Sequence, residues 1–142
     1  MQKELLGELT NMSAVPEISA DAFHENLILL VDRVNKKMSV RRDLDSLIGP
    51  NPVNVLFDNN RNHAAFMDNV LQLSLFPLLL DIVTRDYHTC YRHGFSFDYF
   101  PVRFGTWMET LREILDPETA APLLRVYDWM LSHHSDFIAL AE

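Results

Sequence analysis

The chain has 142 residues, 48% of them hydrophobic, with four glycines and a formal net charge of −8 from 20 Asp and Glu against 12 Lys and Arg. That length and apolar content suit one compact domain spanning residues 1–142 and argue against a second. The negative balance offers no attraction to a phosphate backbone or an anionic bilayer, so neither nucleic acid nor a membrane surface is expected as a partner.

Residues 1–17, opening "MQKELLGELT", are charged and amphipathic and read as an N-terminal extension or a first helix. They lack a basic segment followed by an apolar core and a small-residue cleavage site, so no signal peptide is expected. From Ser19, the residues Phe23, Leu27, Leu30, Val34 and Met38 recur at spacings of three and four, which predicts one helix with a single apolar stripe. "SVRRDLDSLIGPNP" predicts a short helix with Ser39 as its N-cap and Gly49-Pro50 as its stop. Asp58-Asn59-Asn60 predicts a turn, after which "HAAFMDNVLQLSLF" resumes helical spacing from His63 through Phe66, Val70, Leu71 and Leu73.

Pro77 ends or kinks that helix, and helix restarts near it and continues to Gly94, which is placed as a left-handed cap. The apolar run from Leu71 to Val83 is interrupted by Gln72, Ser74, Pro77 and Asp81, too short and broken to span a bilayer, and a cytoplasmic protein is expected. Ser96 or Asp98 caps a further helix with Phe100, Phe104, Trp107, Met108, Leu111 and Leu115 on its apolar face, and Asp116-Pro117 stops it. The segment from Pro117 to Glu142 reads as one last helix. With no alternating apolar and polar run, the chain is all-α, about six to seven helices of unequal length, packed orthogonally in a globin-like way rather than as a matched bundle.

Two segments carry a family resemblance. "HGFSFDYFPVRFGTWMETLREIL" resembles the corner and penultimate long helix of bacterial globins, and "VNKKMSVRRDLDSLIG" resembles their early helices. The resemblance implies a globin-type sensor domain in which the helix before the corner supplies an imidazole to haem iron. Aligned on Phe100, it puts Cys90 at the proximal position; a shift of the corner offers His93 or His88 instead, with His63 on the distal side. His93 ranks first as the ligand of haem iron, His88 second and Cys90 third, with Phe66, Val70 and Phe104 walling the pocket. Cys90 would need its pKa depressed, with Arg85 or Arg92 as the nearby cations.

Each of these residues also has a purely structural explanation. His93 beside Gly94 suits a helix C-terminus, His63 a helix surface or first turn, and Cys90 a small buried hydrophobe. Tyr87, Tyr91, Phe95, Phe97, Tyr99 and Phe100 suit the packing of a corner. The lone cysteine excludes an internal disulfide and a cysteine zinc cage. His88 and His93 are too far apart around a helix to ligate together, Asp43 with Asp45 and Glu109 with Glu113 read as solvated faces, and no phosphate loop or nucleophile motif is present, so no enzyme is expected.

Two functions follow: a haem-binding sensor of signals such as a diatomic gas, or a cofactor-free helical regulatory or protein-interaction domain of globin-like shape. The amphipathic last segment also predicts a homodimer through the C-terminal helices, anchored by Trp107, Tyr127 and Trp129, or an output domain or partner protein beyond.

Overall fold

The computed structural model describes residues 2–12 and 15–141. They are all-helical, without strands: α1 (Gln2–Asn11), α2 (Glu17–Glu25), α3 (Leu27–Ser39), α4 (Leu44–Ile48), α5 (Val53–Leu73), α6 (Phe76–Arg92), α7 (Tyr99–Ile114), α8 (Pro117–Ser132) and α9 (His134–Ala141). α7 is the central helix, packed against α3 on one side and α8 on the other. It buries Phe100, Phe104, Trp107 and Leu111, the face that the three- and four-residue spacing marks as apolar. α5 crosses against α2, α3 and α6, while α6 is flanked by α1 and α9.

Nine helices among the described residues, rather than six or seven, arise from two breaks that the apolar pattern conceals. The stripe Phe23, Leu30, Val34 and Met38 is buried as expected, but the chain turns at Asn26. The Asn26 side-chain amide donates to the Ala22 carbonyl at 2.8 Å, a side-chain bond that competes with the regular helical ladder. The last segment breaks at His133, whose Nδ1 meets Asp136 at 2.8 Å and whose Nε2 meets Glu8 at 2.9 Å. The helix expected to reach Glu142 is followed to Ala141; Met1, Ser13, Ala14 and Glu142 lie outside the described residues.

Other boundaries also move. Ser39 ends α3 rather than capping the next helix; Asp43 holds the N-cap position of α4, with its carboxylate bound by Arg41 at 2.8 and 2.9 Å. The turn expected at Asp58-Asn59-Asn60 is helix instead, so α5 begins at Val53 and His63 lies at its middle. Asn60 is fully buried there: its amide donates to Asn35 Oδ1 at 2.7 Å, and its carbonyl oxygen accepts from Trp107 Nε1 at 3.4 Å. Tertiary partners thus override the turn preference of three consecutive polar residues. Pro77 falls in the first turn of α6, where its missing N–H costs nothing, and Ser74 ends α5 in the left-handed region at φ 54°.

The corner between α6 and α7 is built on backbone contact. Gly94 is left-handed at φ 95°, as expected of a cap, and it meets Gly49, itself at φ 63°, in the turn between α4 and α5. Asn51 ties the two turns by donating to the Ile48 carbonyl at 2.7 Å and the His93 carbonyl at 2.8 Å, while Ser96 N–H donates to the Leu47 carbonyl at 2.9 Å. The aromatics stack behind this junction, Tyr87 on Phe100 at 3.7 Å and Tyr91 on Phe97 at 4.3 Å between ring centres.

Two residues proposed as dimer anchors are core residues. Trp107 and Tyr127 are fully buried and stack on each other at 6.1 Å, and Trp129 is half-buried with Nε1 donating to Glu8 at 3.0 Å. Glu109 and Glu113 are not a free acidic face, since Lys37 reaches both, at 3.1 and 2.7 Å. No helix among the described residues is long and apolar enough to cross a membrane.

A methyl group at Gly49 would run into the Gly94 carbonyl oxygen and would also sit in the left-handed region. Gly49→Ala is therefore expected to lower unfolding free energy by about 2 kcal/mol or more. At Gly105, inside α7, a methyl meets nothing within 4 Å. Gly105→Ala should raise stability by roughly 0.5–1 kcal/mol. Urea denaturation of the two variants checks both signs.

Candidate functional site

α5, α6, α7 and α8 bring one set of polar side chains together inside the molecule. At the middle of α5, His63 is 7% exposed, and its Nε2 lies 2.7 Å from the Tyr127 hydroxyl of α8. From α7, Arg103 is 1% exposed and places Nη2 2.7 Å from Asp86 Oδ2 of α6 and 3.3 Å from His63 Nδ1. A guanidinium only donates, so Nδ1 of His63 carries the lone pair and Nε2–H donates to the Tyr127 oxygen. The imidazole is neutral: burial, and then the positive Arg103, hold its pKa well below the usual 6.5.

Burial would by itself lower the pKa of Arg103, but Asp86, with Tyr99 and Cys90 around it, outweighs this and the charge is kept. The guanidinium also lies over the rings of Phe100, Phe104 and Tyr99, 5.2, 5.5 and 5.6 Å from their centres. Burial pushes the Tyr99 hydroxyl up to about 12. The Cys90 thiol donates to Asp86 Oδ1 at 3.5 Å and accepts from Asn59 at 3.8 Å. Burial, and then the negative Asp86, raise its pKa strongly, the opposite of the depression a thiolate ligand requires.

Beside this cluster a cleft of about 370 Å³ opens between α5 and α6. Phe66, Met67, Ile82 and Val83 form its apolar wall, with Asn59, Asn62, Thr89 and Arg85 on the polar side and His63, Asp86 and Arg103 also lining it. The volume falls in the range of small-molecule sites, and the mixture of apolar walls with a few converging polar groups is their usual character.

Of the residues expected to hold haem, the cleft gathers His63 and Phe66. Cys90 is buried behind Asp86; Val70 and Phe104 are core residues outside the cleft wall. His93 and His88 are exposed and do not line the cleft. His93 ends α6 with Nδ1 2.8 Å from the Thr89 carbonyl, and His88 Nδ1 lies 2.9 Å from the Ala141 carbonyl of α9. His63, the one imidazole in the cleft wall, has both nitrogens committed, and the ion pair of buried Arg103 with half-buried Asp86 lies beside it. These residues do not fit a haem iron. Among the described residues no group of three or more His, Cys, Asp or Glu is disposed to hold a metal ion.

Arg103, Asp86, Asn59, Asn62 and Tyr127 were not expected at a site. The signal for Arg103 is present: it falls in register with Phe100, Phe104 and Trp107, a cation on an apolar stripe, and such a residue requires a buried counter-charge. Asp86 carries no comparable mark, being one polar residue among several on α6. Compared with protein-family models, with curated proteins and with solved structures, the chain matches none.

Removing Asp86 leaves the Arg103 charge uncompensated, and Asp86→Ala is expected to cost about 3–5 kcal/mol in unfolding free energy. Combined with Arg103→Met it should cost less than the sum of the two single changes, a coupling that a double-mutant cycle in urea measures.

The unfolded chain takes a proton onto His63 as pH falls through about 6.5, whereas the folded chain resists it, so acidification favours unfolding. The stability held by neutral His63 is complete above the unfolded pKa and is lost below it, with a slope of up to about 1.4 kcal/mol per pH unit. His134, lowered by burial, acts in the same sense; exposed His24, raised by its hydrogen bond to Asp68, acts in the other. Urea midpoints should therefore fall between about pH 7 and about pH 5, and His63→Gln should flatten the fall.

Proposed function

We propose that this chain is a regulatory domain of globin-like shape that operates without haem and receives its signal as a small molecule in the cleft between α5 and α6. The observation that carries this reading is the Arg103–Asp86–His63 cluster, its Arg103 and His63 buried, in the wall of a cleft of about 370 Å³. Two strongly perturbed titratable groups beside a cleft, here His63 and Arg103, are a recognised mark of a functional site. The cofactor-free form of the reading is supported by the state of each candidate ligand: committed nitrogens on His63, a protonated thiol on Cys90, and His88 and His93 outside the cleft wall.

The reading is of a binding module rather than an enzyme. Cys90 is held in its unreactive form, and His63 has no free nitrogen with which to move a proton. A small molecule in the cleft would touch α5 and α6 together, and through Arg103 and Tyr127 it would bias the packing of α7 and α8. A reducing compartment such as the cytoplasm suits a chain with one cysteine.

Absorbance spectra with added hemin test the reading. The expected spectrum is that of free hemin, unchanged by His63→Ala, His88→Ala, His93→Ala or Cys90→Ala. A sharp Soret band abolished by His93→Ala or His88→Ala would overturn it and name the iron ligand.

A further inference from the structure

α5 lines a second groove, of about 330 Å³, with α3, and gives it residues other than those it gives to the cleft. Ile28, Val31 and Asp32 of α3 and Arg61, Ala64 and Ala65 of α5 recur at spacings of three and four, so each set lies along one face of its helix. The two faces differ in relief. Ile28 is 87% exposed, more than any other large apolar side chain among the described residues, whereas Ala64 and Ala65 keep the α5 side low. A projecting apolar side chain beside a small-residue floor makes a contiguous apolar surface with a charged rim, the character of an interaction site.

We infer that this groove is where the chain pairs with a second copy of itself, the two related by a half-turn that lays α3 of each copy across α5 of the other. That exchange sets each Ile28 against the floor formed by Ala64 and Ala65 of the other copy, a ridge entering a groove twice over. The inference stands apart from the small-molecule reading of the cleft, since the two sites share no residue.

Charge decides the occupant. Each chain carries −8, so two copies approach closely only where that excess is missing from the facing surfaces. The groove between α2 and the end of α7 is lined by Glu17, Asp21, Glu25 and Asp116 with no Lys or Arg, and the one between α1 and α8 by Glu4, Glu8 and Asp128 with no Lys or Arg. Turned against a second copy, either would set like charge on like charge. The α3–α5 groove has one charge of each sign, Asp32 on α3 and Arg61 on α5. The half-turn directs Asp32 of each copy toward Arg61 of the other, so the surface complements itself in charge as well as in relief. A strongly acidic or strongly basic partner would gain at one of these residues and lose at the other. Within the chain Asp32 pairs with Lys36 at 3.1 Å and Arg61 with Asp58 at 2.8 Å, exposed bridges that hold little energy and leave both side chains able to turn toward another copy.

Sedimentation equilibrium of the full chain from micromolar to millimolar concentration tests the pairing, with folding of every variant verified by circular dichroism. The mass is expected to rise to that of two chains and no further. Ile28→Glu places a charge on the projecting side chain without touching the core and should raise the dissociation constant by about tenfold or more. Leu73→Glu, at an exposed leucine outside the groove, should leave it unchanged. Asp32→Arg and Arg61→Glu each set like charges across the two-fold and should weaken pairing, and the double variant should recover it.

A mass of one chain at millimolar concentration would overturn the inference, and so would a dimer that Ile28→Glu leaves intact or that Leu73→Glu weakens equally. Failure of the double reversal to recover what the single reversals lose would overturn the crossing of α3 with α5. A mass that grows beyond two chains would replace the closed two-fold with an open arrangement.

Discussion

A guanidinium enclosed by helices has to find a counter-charge within a few ångströms, because an isolated ion in the interior is destabilised by far more than a domain's whole margin of stability. Arg103 meets that demand with Asp86 at 2.7 Å, and the arrangement of four helices follows from it. α6 must present Asp86 to α7, and α5 must present an imidazole rather than an imidazolium to the same nitrogen. The hydroxyl of Tyr127 on α8 then completes the imidazole. One cation therefore constrains the rotation of α5, α6, α7 and α8 about their axes, which apolar contacts alone leave looser.

The second constraint is steric. Gly49 and Gly94 allow two turns to touch backbone to backbone, and Asn51 and Ser96 hold them there with hydrogen bonds to carbonyls of the facing turn. Closing α6 against α7 at this point places Tyr87 flat on Phe100 and aims the following turn of α7, with Arg103, toward α6. The aromatic-rich segment from Arg85 to Pro101 is thus chiefly a joint. Its tyrosines and phenylalanines stack with one another, and its histidines bind carbonyls at Thr89 and Ala141. Three members of the segment, Arg85, Asp86 and Thr89, line the cleft.

Apolar periodicity made the helical class, the burial of Phe23, Leu30, Val34 and Met38, and the extents of α6 and α7 legible, since those features follow from local spacing and from Gly94, Pro77 and Pro117. Turn-prone residues misled where tertiary bonds took over. Asp58-Asn59-Asn60 reads as a loop because nothing local reveals that Asn60 meets Asn35 and Trp107. The breaks at Asn26 and His133 were hidden for the converse reason, an apolar stripe running through a residue whose own side chain diverts the backbone. At the site, His63 could be singled out as a histidine, but its partners Arg103 and Tyr127 lie 40 and 64 positions away in the sequence, and Asp86, which pairs with Arg103, lies 23 away. No short-range pattern brings such positions together.

Glu8 joins distant parts of the chain in another way. Its carboxylate accepts from Trp129, 121 positions further on, and lies 2.9 Å from His133, while Leu5 and Leu9 of the same helix are buried. α1 packs against α6, so its apolar face has no surface to cover it until that helix exists, and Glu8 has no partners until α8 is complete. During synthesis α1 is therefore made well before the helices that hold it in place. Leu5 and Leu9 remain open to solvent or to a chaperone until α6 has been added, and Glu8 waits longer, for Trp129 121 positions on.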